Sequence, residues 1–148
     1  MGRPDGWTQQ AISGSRQRMA VGPFTAPGAA GVTAASQTDL DCRYVHVAAD
    51  VIDYIATRAG TIVGLSAALD TACTGAGESI TVAVTVNGTE LVSGPEASLT
   101  TDGAETAASA TSVPGTFQFA AGDAIGVSYT STAITNTPKL VATIEVEL

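Results

Sequence analysis

The chain has 148 residues and a formal net charge of −8, and 45% of its residues are apolar, 14% charged and 5% aromatic. This length suits one domain, and the apolar content is enough for a core, which excludes a disordered acidic tail. No apolar run approaches the length of about 18 residues that a membrane-spanning helix needs. The first residues lack the apolar stretch of an export signal, so we expect neither export nor a membrane partner.

Charge is divided unevenly along the chain. Residues 1–38 carry three arginines and one aspartate, whereas residues 39–148 carry three basic and thirteen acidic residues. An acidic body repels the phosphate backbone of nucleic acids. We therefore expect no nucleic-acid partner.

Residues 1–38 are rich in Gly, Pro, Ser, Gln and Ala, with prolines and glycines crowded into residues 22–31. Such a composition interrupts helices and central strands, which predicts an extended N-terminal arm. Large apolar side chains are spaced irregularly along it, and a plain linker has little use for them. The sequence thus favours an arm that binds a partner over a disordered leader. The predicted partner contacts are Trp7, Ile12, Met19, Val21 and Phe24, with Arg16 and Arg18 reaching carboxylates of the partner.

Apolar and polar residues alternate along most of residues 39–148, as is typical of half-buried strands. Residues 79–86 are the clearest case, because Ile and Val occupy all of their even positions. Asn87-Gly88 follows and predicts a type I′ hairpin, since both central residues of that turn need positive φ. The other predicted strands are residues 44–47, 61–69, 89–92, 97–100, 106–111, 116–119, 125–130 and 140–148.

This series predicts one all-β domain over residues 39–148, an antiparallel sandwich of about eight strands. A jelly-roll-like arrangement is favoured because it leaves few long exposed edges. Residues 50–58 permit either a short helix with Asp50 as its N-cap or an irregular strand, and the β-rich flanks favour a strand or loop.

Candidate catalytic groups are few. His46 is the only histidine and lies in an alternating segment beside Tyr44, with no nucleophile motif elsewhere, so a structural or surface residue is predicted. Cys42 and Cys73 show no CxxC spacing, which predicts two separate buried thiols and no zinc site, although a disulfide stays open.

The carboxylates are numerous but scattered. Asp39 and Asp41, like Glu145 and Glu147, are two residues apart and would share one strand face. Residues 101–105 resemble a calcium loop only faintly, because the ladder of aspartates is missing. We therefore predict solvated surface charge, with no catalytic residue, no metal site, no cofactor and no enzymatic activity.

Three stretches, residues 60–69, 79–88 and 117–127, resemble small jelly-roll virion proteins of tailed bacteriophages. The pattern of Phe117 and Phe119, a turn at Gly122-Asp123 and renewed alternation is also similar to trimeric tumour-necrosis-factor-like and complement-like jelly rolls. The resemblance covers roughly residues 45–148. It implies a homotrimer that stands on a larger assembly.

The function implied by this resemblance is that of a capsid decoration, or cement, protein. It would bind the major capsid protein through the arm, stabilise the shell and lie on the outer capsid surface of the virion after synthesis in the host cytoplasm. The alternative is a tail-fibre or collar domain that binds a receptor or a sugar. A hydrolase is the least favoured class.

Overall fold

The computed structural model of the chain describes residues 16–26, 32, 38–40, 42 and 53–148. Within these ranges the chain forms eleven β-strands and no helix. The strands are β1 (Arg18–Thr25), β2 (Thr38–Leu40), β3 (Tyr54–Ile55), β4 (Gly60–Leu69), β5 (Ser79–Val86), β6 (Thr89–Glu90), β7 (Glu96–Thr100), β8 (Ala107–Thr111), β9 (Phe117–Phe119), β10 (Ala124–Ser131) and β11 (Leu140–Glu147).

The strands form two antiparallel sheets that pack as a sandwich. The first sheet has the order β1-β11-β4-β8, and β9 also pairs with β4. The second sheet has the order β2-β10-β5-β6, with β3 also paired to β10 and β7 to β5. The prediction of an all-β antiparallel sandwich is confirmed.

Period-two alternation builds the core between the sheets. In β5, Ile80, Val82 and Val84 are at most 1% exposed and face the first sheet, as the pattern predicts. The largest fully buried side chains come from both sheets and the segments beside them. They are Phe24, Val32, Leu40, Ile62, Ile80, Val82, Val84, Leu99, Ile125, Val127, Ile144 and Val146.

β1 lies within residues 1–38, which the sequence assigns to an arm. It pairs with β11 and forms an edge of the first sheet, so the composition change near residue 38 does not mark the edge of the sandwich. A bulge between Val21 and Phe24 lets both side chains face the core although they are three residues apart. Pro23 fits because an edge strand at a bulge does not need every N–H.

The hairpin predicted at Asn87-Gly88 is present. The φ angles are 52° at Asn87 and 74° at Gly88, and the turn joins β5 to β6. Residues 54–55 of the ambiguous segment are a strand, whereas the strand predicted at 44–47 lies outside the described residues. Cys42 and Cys73 are not joined in a disulfide.

A search of the described residues finds no helix that is long and apolar enough to cross a membrane.

Candidate functional site

Four charged residues join the beginning of β1 to the end of β11, and we refer to Arg16, Arg18, Glu145 and Glu147 as the anchor cluster. Arg16 Nη1 lies 3.0 Å from Glu147 Oε1 and donates a hydrogen bond to it. Arg18 lies between the two acids, with Nε 3.5 Å from Glu147 Oε2 and Nη1 3.7 Å from Glu145 Oε1. The pairing follows from the register, which sets Arg18 directly opposite Glu147.

The anchor cluster holds the residues just before β1 to the end of β11. The Glu147 side chain is only 8% exposed, and the Arg16 side chain is 74% exposed, so the guanidinium lies on the solvent side of a shielded carboxylate. Beside them the Leu148 N–H donates to the Gln17 carbonyl at 2.9 Å, and the Gln17 N–H donates back at 3.4 Å. Both backbone and side-chain contacts therefore hold Arg16 to β11.

The structure describes five of the seven predicted partner contacts. Val21 and Phe24 are 3% and 0% exposed, and this corrects the prediction for both, because side chains packed in their own core are not available to a partner. Met19 is half-buried and packs against the same core. Trp7 and Ile12 lie outside the described residues.

Arg16 and Arg18 were expected to reach carboxylates of another protein, but each contacts a carboxylate of its own chain. Sequence reasoning missed this pairing. The sequence contains a signal for it. Arg16 and Arg18 are two residues apart near one end of the chain, Glu145 and Glu147 are two residues apart near the other, and the members of each pair share one strand face. Opposite charges at the same spacing favour cross-strand partners.

A shallow depression of about 290 Å³ opens beside the anchor cluster. Its lining combines charged, polar and small residues from three strands and the turn before β9. The lining residues are Arg16, Gly60, Thr61, Pro114, Gly115, Gln118 and Glu147.

The outer face of the second sheet is acidic. Asp39, Glu90 and Glu96 are exposed there, and none of the strands in this sheet contains Lys or Arg. Glu90 Oε2 accepts a hydrogen bond from Ser128 Oγ at 3.3 Å. The outer face of the first sheet differs, because its two acids lie beside two arginines in the anchor cluster. The two faces of the sandwich therefore have different electrostatic character.

Glu78 joins two loops at one end of the sandwich. Its Oε2 accepts the Gly75 N–H at 2.9 Å and its Oε1 accepts the Thr135 N–H at 2.5 Å, although the residue is only 5% exposed. The hydrogen bond from the Thr135 hydroxyl is the main cause that lowers the pKa of Glu78, and backbone N–H groups lower it further. Nearby, burial raises the pKa of the Cys73 thiol, and the charge of Glu78 adds to this effect.

Asp123 has the same kind of role at the other end. Its Oδ1 accepts a hydrogen bond from Asn87 Nδ2 at 2.9 Å and its Oδ2 accepts the Ala120 N–H at 2.7 Å. The Asn87 contact is the largest cause of the lowered pKa of Asp123. Asn87 also accepts the Ala124 N–H at 2.9 Å, so the hairpin tip is attached to the turn before β10.

The faint calcium-loop pattern at residues 101–105 has a structural explanation. Glu105 Oε2 accepts the Thr100 N–H at 2.8 Å and the Thr100 hydroxyl at 3.0 Å, which closes the turn between β7 and β8. Across the described ranges, no three His, Cys, Asp or Glu residues are grouped so that they could hold a metal ion. His46 and Asp41 lie outside those ranges.

The carboxylates with resolved contacts therefore position loops and strands. Glu78, Asp123, Glu105 and Glu147 each accept hydrogen bonds from their own chain. Such an arrangement links loops and strands that are distant in sequence and holds Arg16 to the end of β11.

Comparison with protein-family models gives no match, and comparison with curated protein sequences gives none either.

Proposed function

We propose that the chain is a structural protein of a virion, a capsid decoration protein that binds the major capsid protein and stabilises the shell. The observation that carries this proposal is the anchor cluster, in which a contact of 3.0 Å between Arg16 Nη1 and Glu147 Oε1 holds Arg16, the residue that follows the proposed arm, to β11. A segment that starts from a rigid point can hold a neighbouring protein with less loss of conformational freedom than one that starts from a loose chain.

The strand order supports a jelly roll as the finer description of the fold. We count β2 with β3, β6 with β7 and β8 with β9 as three interrupted edge strands. From β1 to β11 the chain then alternates between the two sheets, except that β5 and the strand formed by β6 and β7 both lie in the second sheet. Pairing of β1 with β11 and of β10 with β5 brings distant parts of the chain together. Jelly rolls of this kind are common in viral capsid and lectin domains.

The proposed arm is shorter than the composition indicates. β1 belongs to the sandwich, so residues 1–15 are the segment that contacts the capsid protein, and Trp7 and Ile12 are its apolar anchors. A fully extended segment of this length reaches about 50 Å, which is enough to cross from one subunit to the next. Large aromatic and aliphatic side chains are the groups that most often dominate the affinity of such contacts.

The charge distribution supports one orientation on the shell. The acidic outer face of the second sheet is turned to solvent, because the strands of this sheet contain no Lys or Arg and burying their carboxylates against another protein would cost desolvation energy. A protein that bridges neighbouring coat subunits adds contact area and resists the outward load from packaged DNA. The homotrimer implied by the resemblance stays a prediction, and native mass spectrometry of the purified chain tests it.

The proposal is tested on virus particles from the source of the sequence. Mass spectrometry of purified virions is expected to find the chain in amounts comparable with the coat protein, and electron cryomicroscopy is expected to place it on the outer shell. Its absence from virions, or a position on the tail or collar, overturns the proposal.

A binding experiment tests the arm. A variant that lacks residues 2–15 is expected to keep the sandwich, because all described strands remain, and to lose binding to shells that lack the protein. Val92→Ala removes apolar atoms from a side chain that is 90% exposed and lies outside the arm, so it serves as a control that retains binding. Full binding by the shortened variant would contradict the role of residues 1–15.

A further inference from the structure

Among the described residues, one edge of the first sheet has no neighbouring strand. β8 (Ala107–Thr111) pairs with β4 on one side and with no strand on the other among the described residues. Two hydrogen bonds at the ends of the β4–β8 pairing show which residues of β8 bond to β4. The Leu69 N–H donates to the Thr106 carbonyl at 2.8 Å, and the Ser112 N–H donates to the Val63 carbonyl at 3.0 Å. Even-numbered residues of β8 therefore bond to β4.

The odd-numbered residues of β8 present unused backbone groups. Ala107, Ser109 and Thr111 are exposed, and their N–H and C=O groups point away from β4. No hydrogen bond within the described part of the chain involves these groups. The loop between β8 and β9 contains Pro114, which has no N–H and so offers no backbone donor next to β8.

The other edges carry features that discourage pairing with another chain. β1 has a bulge and Pro23, β2 has an exposed aspartate at Asp39, and the edge formed by β6 and β7 carries Glu90 and Glu96. β8 has none of these features, because its five residues are Ala, Ala, Ser, Ala and Thr. An edge with free donors and acceptors, small side chains and no charge is a ready template for one more strand.

We propose that β8 pairs with β8 of a second copy of this chain, antiparallel about a two-fold axis centred on Ser109. This register sets Ser109 opposite the partner's Ser109 and Ala107 opposite the partner's Thr111. All three outward-facing residues then lie in hydrogen-bonded pairs, which gives about six new backbone hydrogen bonds. The two first sheets become one continuous sheet across the contact.

The charge distribution favours a second copy as the occupant. Self-pairing places a surface directly opposite itself, so any charge in β8 would meet its own copy, and like charges opposite each other destabilise a sheet. β8 carries no charge, whereas the edges of the second sheet would bring Glu96 or Asp39 towards its own copy. For an acidic body, β8 is therefore the edge at which two copies meet with the least repulsion. This inference goes beyond the proposed function and does not depend on it.

The test compares two proline variants of the full chain across a dilution series. Ser109→Pro removes an N–H that points away from β4, so it blocks the added strand and leaves the existing ladder intact. Ser98→Pro is the matched control, because Ser98 is an exposed serine on β7 whose N–H also points away from its neighbour β5. Native mass spectrometry and light scattering are expected to find wild type and Ser98→Pro at twice the mass of Ser109→Pro.

Two lysine variants test the proposal if Ser109→Pro does not fold. Ser109→Lys puts like charges opposite each other at the two-fold axis and is expected to abolish the doubled mass, whereas Ser98→Lys is expected to retain it. Hydrogen exchange adds a residue-level readout: the amides of Ala107, Ser109 and Thr111 are expected to lose protection together on dilution. Equal masses for wild type and both Ser109 variants, including a trimer in all of them, would overturn the proposal.

Discussion

Arg16 Nη1 lies 3.0 Å from Glu147 Oε1, a contact between residues 131 positions apart in sequence. It joins the start of the described chain to the last residue of β11. Because Arg18 contacts the same carboxylate from the other side, Glu147 is the centre of the anchor cluster. The contacts of Arg16 and Arg18 thus converge on one shielded carboxylate.

Glu147→Gln tests this dependence. The substitution removes the charge that two arginines share, and we expect it to lower the free energy of unfolding by about 1 kcal/mol. Glu145→Gln is the matched control, with a side chain that is 45% exposed and a longer contact of 3.7 Å, and we expect little change from it. Urea unfolding at low and high salt measures both, and the effect of Glu147→Gln should shrink at high salt. Equal effects of the two variants would argue against a central role for Glu147.

Phe24→Ala tests whether β1 belongs to the sandwich. Phe24 is fully buried, and removing most of its side chain should cost about 3–5 kcal/mol of unfolding free energy. Deleting residues 2–15 should cost far less, because that change leaves every described strand intact. Thermal and urea unfolding of the two variants makes the comparison. If Phe24→Ala unfolded like wild type, β1 would be an arm, as its composition suggests, and not an edge strand.

The hairpin tip allows backbone and side-chain effects to be separated. Asn87→Ala replaces a residue that adopts the left-handed region readily with one that does so rarely, and it removes the bond to Asp123, so we expect a loss of about 1–2 kcal/mol. Asn87→Gly removes the same bond but tolerates the φ of 52°, and should cost less. Urea unfolding ranks the three proteins. A larger loss for Asn87→Gly than for Asn87→Ala would contradict the assignment of the turn.

Glu78 predicts an acid-dependent stability. The pKa of Glu78 in the folded protein is lower than the ordinary value. Its contribution to the free energy of unfolding is therefore fully present above the ordinary glutamate pKa and is lost as pH falls through the lowered value. Glu78→Gln keeps the size of the side chain but cannot carry the charge. We expect the variant to be less stable than wild type at neutral pH and to lose less stability on acidification.

Unfolding by urea at neutral and acidic pH measures this difference. Glu96→Gln is the control, because Glu96 is exposed on β7 and lies away from the loops that Glu78 joins. A pH dependence in Glu78→Gln as steep as that of wild type would assign the acid sensitivity to other carboxylates.

Local patterns predict much of the sandwich. Residues 79–86 and 140–147 alternate so regularly that their strands and buried faces follow from period two alone, and Asn87-Gly88 specifies its own turn. β1 was missed for a local reason as well. The bulge between Val21 and Phe24 breaks the alternation, and the glycine and proline that form it are the residues that predict a linker.

The candidate site could be predicted only in part. Charge type and spacing indicate that Arg16, Arg18, Glu145 and Glu147 lie on strand faces, but the sequence does not say that these strands are neighbours. The same holds for Glu78 and Thr135, which meet because two loops lie at the same end of the sandwich. Contacts between distant segments depend on which strands pair, and many strand orders satisfy the same alternation.

The sequence by itself determined the all-β class, the strongest strands, their buried faces and the hairpin at Asn87-Gly88, because each depends on the chemistry of adjacent residues. Only the tertiary structure decided that β1 forms an edge of the first sheet, that the two arginines pair within the chain and that β8 has one strand neighbour, β4, in the part of the chain that the structure describes. These features depend on strand order, which is selected by the packing of the whole core and not by any single segment.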